Sequence, residues 1–448
     1  MVKKGFSRNF FSRYGISLLA TAAFVTILLI KHLDFPLYYF LISIPNGLKK
    51  PTPFVDLHDI LLAGACWRHG VNVYAPSACL EGGVFNYSPF LLRAAYLPIG
   101  PRDTVTGGFL LCLTFFYALS WLPSPKSKAE FLYVLVCTFS TTVVYALEQG
   151  NFDIVIFSLA ALGVFMTLKA GKYGLWGYAI FVIAAAMKFY PVAFLLLILR
   201  ERAAKFLSIV LLSAVAGVVF LGFFAHDAAT AIKIIPGSAP FRATFGRIDL
   251  AMGLNLLHLL TATRVNHLLG HDVFATGQSV AVATSYLMSL GALTAAVFTA
   301  RHYVKPLKSL PTARLAFLVA GASVVIFCFF LAQNVYYRAV FLLFTLPGLW
   351  SLASGQMRRA RLLLAALLIL LWETLPRDIL TELAKISPND ATFVLQIAFW
   401  LFRECLWWWV IIQLAGLVLA FVTGEYSRLI REITPGRSQK IDETALTP

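Results

Sequence analysis

The chain has 448 residues, of which 59% are hydrophobic and only 13% charged, and its mean hydropathy is +0.79. A soluble domain of that length has too little interior to hide so much apolar surface, which excludes an ordinary water-soluble enzyme or binding module. The net charge of +16 would suit nucleic acid in a soluble protein, but the basic residues sit in short connections between apolar runs, which is the habit of a membrane protein.

The first apolar run, about residues 15–31, follows Lys3, Lys4, Arg8 and Arg13 and has the look of a signal peptide. It continues straight into Lys31-His32-Leu33-Asp34 with no small-residue cleavage site, so a retained first span is expected. Further runs fall at about 105–122, 131–147, 152–168, 173–187, 189–199, 205–225, 280–300, 312–331, 338–354, 361–373 and 405–424. The fold class expected is an all-α polytopic membrane protein with about 10–13 transmembrane helices. The pair 173–187 and 189–199 reads either as two short spans or as one broken helix with a re-entrant piece. Residues 1–14 form a short N-terminal segment and 15–424 the membrane domain. Residues 425–448 form a tail, polar from Thr434 and expected to be disordered.

Loop charge sets the orientation. One side collects the N-terminus, Lys126, Lys128, Lys169, Lys172, Arg200 to Lys205, Arg301 to Lys308, Arg358 to Arg361 and the tail. The other side collects Asp34, Asp56, Asp59, Glu81, Asp103, Glu148, Asp153, Asp227, Asp249, Asp272 and Glu373. Both termini are therefore expected in the cytoplasm of a multi-pass protein of a bacterial inner (plasma) membrane. The long connections 32–104, 226–279 and 374–404 then lie outside, where function is expected. Cys112, Cys137 and Cys328 fall within apolar runs and read as inert. Cys66 and Cys79 share one polar loop and would pair in an oxidising compartment.

The first outer connection carries Asp56-Leu-His-Asp59, Ala63-Gly64, Gly70-Val-Asn-Val-Tyr74 and Phe85-Asn86-Tyr87-Ser88-Pro89. Asp56 and Asp59 share a helix face. Such carboxylates can act as a general base, a hydroxyl ligand or a metal ligand, or can simply favour a helix N-terminus. Asn151 and Asp153 stand where a span begins and would cap it, or would bind sugar hydroxyls from that helix end. Lys188, between two apolar runs and without an acid nearby in sequence, is costly unless it faces a cavity. Arg338, beside Tyr336 and Tyr337, reads as a phosphate ligand or as an interfacial anchor. A third group, Phe241-Arg242, Arg247, Asp249 and His258, mixes rings, base and acid as a carbohydrate or phosphate surface does, or reduces to an Arg247–Asp249 ion pair. His258, His267 and His271 lack zinc-ligand spacing, so no metal is expected.

Taken in order, Asp56, Ala63-Gly64, Gly70, Tyr74 and Phe85-Asn-Tyr-Ser-Pro89 resemble glycosyltransferase family 87, membrane mannosyltransferases of the C-type glycosyltransferase fold. Gln149-Gly-Asn151-Phe-Asp153, Lys188-Phe-Tyr190-Pro191 and Tyr337-Arg338 extend the likeness over about residues 15–420. Ser88, where the family has a first proline, and the second acid Asp59 depart from its pattern. The resemblance implies an inverting transfer of a hexose, with mannose the expected sugar, from a polyprenyl-phosphate donor to a glycan or glycolipid acceptor at the outer face. It implies Asp56 as the base, and Asp59, Tyr74, Asn86, Tyr87, Asn151, Asp153, Lys188, Tyr190, Arg247, Tyr337 and Arg338 as substrate-binding residues. The lipid-phosphate sugar would be a co-substrate, no further cofactor being implied; the bilayer is the other partner, and nucleic acid is none. A transporter or flippase for a lipid or small solute is the alternative, and would place ionisable groups at mid-membrane in paired broken helices.

Overall fold

The computed structural model describes residues 2–33, 36–38, 53–169, 173–235, 241, 244–266, 273–331, 333–386 and 390–433. Among them the chain is almost entirely helical, and the one strand pairing joins Thr244–Phe245 to Asn334–Val335, antiparallel with Thr244 opposite Val335. Arg242, His267 and His271 lie outside the described residues, as does the tail from position 434. The protein is an all-α integral membrane protein, an architecture in which helices pair most of their backbone polar groups internally.

Among the described residues, six helices are long and apolar enough to cross a bilayer: Arg13–Lys31, Pro101–Trp121, Ala203–Lys233, Ser279–Ala300, Thr312–Leu331 and Ala391–Ile433. Lys128–Thr138 and Thr141–Glu148, bent by 46°, would make a seventh as a broken pair. The larger sequence-based number of about 10–13 counted runs that fold into shorter pieces. Asp153–Thr167 and Tyr173–Met187 have 15 residues each, a rise of about 22 Å against a hydrocarbon core of about 30 Å. The 189–199 run becomes a tight 3₁₀ helix, Tyr190–Arg200, and 338–354 divides into the 3₁₀ helix Tyr336–Phe344 and the α-helix Leu346–Ser354.

Burial separates core from periphery. Thr312–Leu331 is 72% buried and stands at the centre, whereas Ala203–Lys233 is 6% buried and turns Leu211, Leu212, Val218 and Phe223 outward. That pattern inverts the water-soluble rule and suits lipid as the surrounding medium.

The long connections expected outside are more regular than a loop reading suggests. Residues 226–279 contain the end of Ala203–Lys233, the helix Asp249–Asn266 and the start of Val273–Ala300. Residues 374–404 hold the amphipathic helix Thr374–Ile386 and the first turns of the 44-residue helix Asp390–Ile433. That last helix carries the chain past position 424. It runs to Ile433, where Arg428 donates to the carbonyls of Leu199 and Glu201 at 2.8 and 2.9 Å. Residues 55–96 form a small separate core around Ile60, Val73, Phe85 and Leu92, closed by a Cys66–Cys79 disulfide.

On the side expected to be cytoplasmic, Arg314 is buried with Glu130, Nη1 to Oε1 at 2.7 Å. Its guanidinium also donates to the carbonyls of Pro347 (2.6 Å) and Ser124 (2.9 Å) and to Ser351 Oγ (2.8 Å). One side chain thus ties three segments. Arg314→Met leaves Glu130 buried without its cation and should cost about 3–5 kcal/mol of stability. A denaturant titration in mixed micelles should show the loss, and an unchanged midpoint would refute the assigned role.

Candidate functional site

The site is assembled at the meeting of four segments, and its backbone is fixed first. Phe54 N–H donates to Glu148 O at 2.7 Å and Asp56 N–H to Gln149 O at 3.0 Å. The start of helix Val55–Arg68 is thereby zipped to the turn that ends Thr141–Glu148. Gly150 allows the approach: its φ is +58°, and a Cβ there would lie 2.9 Å from Phe54 Cβ. Both the handedness and the space exclude a larger residue. Phe54 itself sits at φ 65°, a left-handed conformation that a bulky residue adopts only under constraint. Its ring is locked over Gly108, which has no side chain to oppose it.

Asn151 joins the Asp56 carboxylate to the backbone of Asp153. Its Nδ2 donates to Asp56 Oδ2, and its Oδ1 accepts from the backbone N–H of Asp153 at 2.8 Å. Asp153 opens the helix Asp153–Thr167 and is fully buried. Direct substrate binding by Asp153 is not what its surroundings offer. Oδ1 accepts from Lys188 Nζ and, at 2.6 Å, from Tyr190 Oη, while Oδ2 pairs with Arg338 Nε at 3.3 Å. Two cations share one carboxylate, so this trio carries a net charge of about +1 when all three are ionised. The sequence showed no acid beside Lys188; the fold brings one from 35 positions upstream.

The rest of the lining is aromatic. Lys188 Nζ lies 5.1 Å from the centroid of Tyr87, and Arg338 Cζ lies 5.4 Å from that of Tyr190. Tyr87 packs against Phe85 (5.7 Å) and Phe85 against Tyr74 (6.2 Å), so Tyr74 stands at the outer end of a ladder of rings. Asn86 is half-buried within it. Ser88 fixes the ladder to the helix that delivers Lys188, its hydroxyl donating to Ala186 O at 2.5 Å. Ala63-Gly64 allows helix Val55–Arg68 to lie close against Ala95.

Asp56 is half-buried, with one face toward this lining, while Asp59 is exposed one turn away. Burial raises the Asp56 carboxyl above the ordinary aspartate range; the Asn151 hydrogen bond and the Lys188 charge pull it back down. The hydroxyls of Tyr87, Tyr145 and Tyr337 all feel the Asp56 charge. Tyr145, which the sequence did not single out, stacks on Tyr336 at 4.9 Å and packs against Tyr337 at 5.8 Å.

Asn334 was also missed. Its Oδ1 accepts from Arg338 Nη1, while its Nδ2 donates to Cys328 O at 2.7 Å. Arg247 is not brought to the Asp56–Asp153 centre by any of its contacts. Its guanidinium donates to Phe330 O (2.8 Å) and Ser285 Oγ (3.1 Å) and lies 3.9 Å from the Tyr286 ring centroid. Asp249 accepts instead from Gln333 at 2.5 Å.

Compared with protein-family models, with curated proteins and with solved structures, the chain matches none.

Asn151→Ala should raise the midpoint at which Asp56 loses its proton, because the lost hydrogen bond stabilises the charged form. An infrared titration of the carboxyl band, with Asp56→Asn assigning it, reads the shift. A midpoint that stays or falls would refute the role given to Asn151.

Proposed function

We propose that the protein is a membrane glycosyltransferase that moves a hexose from a polyprenyl-phosphate donor to a hydroxyl-bearing acceptor at the extracytoplasmic face. The observation that carries this reading is the pairing, across Asn151, of a carboxylate with a cradle of two cations. Asp56 takes the proton of the acceptor hydroxyl as that oxygen bonds to the anomeric carbon. The carbon–oxygen bond to phosphate breaks, its electron pair leaves with the polyprenyl phosphate, and the configuration inverts. A single carboxylate suffices, since no water has to be activated on a second pass. The departing phosphate needs positive charge more than a proton, and Lys188 with Arg338 supply more than Asp153 cancels. Arg338 keeps 24% of its side chain exposed, the larger share of the two cations, and is the one assigned to phosphate contact.

The resemblance to glycosyltransferase family 87 supports the same reading, since the segments quoted for it are the ones the fold gathers. On this reading both termini are cytoplasmic, and the membrane is a bacterial plasma membrane. One observation favours a transporter. Arg403 and Glu404 are buried inside the span Ala391–Ile433, with Glu373 3.8 Å from Arg403, and intramembrane charge is common along transport pathways. Solute flux into sealed vesicles without sugar transfer would establish that alternative.

Asp56→Asn, assayed in proteoliposomes supplied with polyprenyl-phosphate mannose, should lower transfer at least about 1,000-fold, at the upper side of a general-base contribution. Full activity would refute the base. Arg338→Lys should raise the donor KM about tenfold with the fold intact, because a point charge does not reproduce the planar guanidinium fork. An unchanged KM would remove Arg338 from the phosphate site.

A further inference from the structure

A second polar cluster lies at the far end of the ring ladder from Lys188. Arg93, on the 3₁₀ helix Pro89–Tyr96, is exposed, and its Cζ lies 5.1 Å from the Trp67 ring centroid and 5.3 Å from that of Phe224. Trp67 in turn meets Tyr96 edge-on at 5.7 Å. The rings hold the guanidinium without using its donors, which stay available to a ligand. Among the described residues its one hydrogen bond runs from Nη1 to Tyr96 Oη at 3.5 Å. Asp227 is half-buried one turn beyond Phe224, on the same face of the helix Ala203–Lys233. Among the described residues neither Arg93 nor Asp227 makes an ion pair. Tyr74 feels both charges: its hydroxyl is buried without a hydrogen-bond partner. Burial raises that phenol above its ordinary range, with Asp227 adding to the rise and Arg93 opposing it.

The helix that this cluster touches sets its depth. Phe224 lies about 32 Å along Ala203–Lys233 from its first residue, close to the thickness of a hydrocarbon core, about 30 Å. Arg202 and Lys205 mark the near end, and the lipid-facing stretch with Leu211, Val218 and Phe223 gives way to His226-Asp227 at the far one. Trp67, Arg93 and Tyr96 therefore stand at headgroup level, with Leu97 and Ile99 exposed beside them. We propose that Arg93, Tyr74 and Asp227 bind the headgroup of one phosphatidylethanolamine, which belongs to the outer leaflet in the orientation proposed above. The Arg93 fork and the Tyr74 hydroxyl donate to the phosphate, and Asp227 accepts from the ammonium two carbons away. Opposite charges held apart select that headgroup. Phosphatidylglycerol brings no cation to Asp227, and the ammonium of phosphatidylcholine has no N–H to donate. The acyl chains run along the lipid-facing side of Ala203–Lys233, past Phe223. The site does not depend on Asp56 acting as a base.

The test places the full-length protein in nanodiscs of phosphatidylethanolamine, phosphatidylglycerol and phosphatidylcholine in equal amounts, then reads the lipid it retains by native mass spectrometry. One phosphatidylethanolamine should be kept about tenfold over either competitor. Arg93→Gln should lower that retention about tenfold, and Arg93→Lys by less, since the charge remains without the fork. Asp227→Asn should keep a phospholipid bound but erase the preference for ethanolamine over choline. Equal retention of all three lipids by the unaltered protein would overturn the proposal by showing only bulk lipid. Preference for phosphatidylglycerol would overturn it in favour of a plain anion site. Displacement by soluble glycerophosphoethanolamine would overturn the membrane as the source of the ligand. The unaltered protein already discriminates these outcomes, so a variant that fails to fold does not undo the test. No arm reads sugar transfer, so failure of this site and failure of the proposed reaction give different results.

Discussion

Two cations buried in an apolar helix bundle are tolerable only with a counter-charge, and Asp153 provides it for both Lys188 and Arg338. The consequence is geometric. Asp153 begins one helix, Lys188 follows the end of another, and Arg338 lies in the first turns of a third element. Loss of Asp153 would leave both cations buried without a counter-charge, whereas loss of either cation would leave a neutral pair. Asn151 then couples this anchor to Asp56, so the position of the base is set by the same ion cluster. The glycine at 150 makes the coupling possible, because only a residue without Cβ lets Phe54 approach so closely at that backbone angle.

Much of this was legible in the sequence as a set of residues, but not as a set of contacts. Asp56, Asn151, Asp153, Lys188, Tyr190 and Arg338 were all singled out, because ionisable or amide groups at the edge of apolar runs are rare enough to stand out. Asp153 was read as a cap or a sugar ligand, since nothing local shows that two distant cations require it. Tyr145 and Asn334 escaped because a tyrosine inside an apolar run and an asparagine between two such runs are unexceptional until their partners are known. Arg247 was grouped with the site by its sequence neighbours, yet its guanidinium bonds to Phe330 O and Ser285 Oγ.

The membrane character was equally plain, and the helix count was not. Hydropathy sees apolar runs but not their pitch. Tyr190–Arg200 and Tyr336–Phe344 are 3₁₀ helices of 11 and 9 residues, where such runs commonly stop after about four. Pro89–Tyr96 is a third, of 8 residues. Each follows or contains a segment of the site: Ser88, Lys188 with Tyr190, and Arg338. A tighter helix carries fewer residues per turn and points its first side chains along a different direction from an α-helix. Polar side chains from three such elements are thereby gathered at one end of the bundle.

The long final helix extends the same logic to the far side of the core. Arg403 donates to Thr244 O at 3.0 Å and pairs with Glu404, while Glu373 accepts from Trp407 Nε1 at 3.1 Å. Phe245 stacks on Trp407 at 4.4 Å. The strand Thr244–Phe245 so held pairs with Asn334–Val335, and Asn334 in turn holds Arg338. A buried ionic group in the membrane is therefore joined to the cation cradle through one short ladder of backbone and side-chain bonds. The costly charges at 373, 403 and 404 have a structural reason on this account, because they fix the strand against which Arg338 is aimed. Two clusters of buried charge then serve one site, the first by holding its cations together and the second by holding the segment that carries one of them.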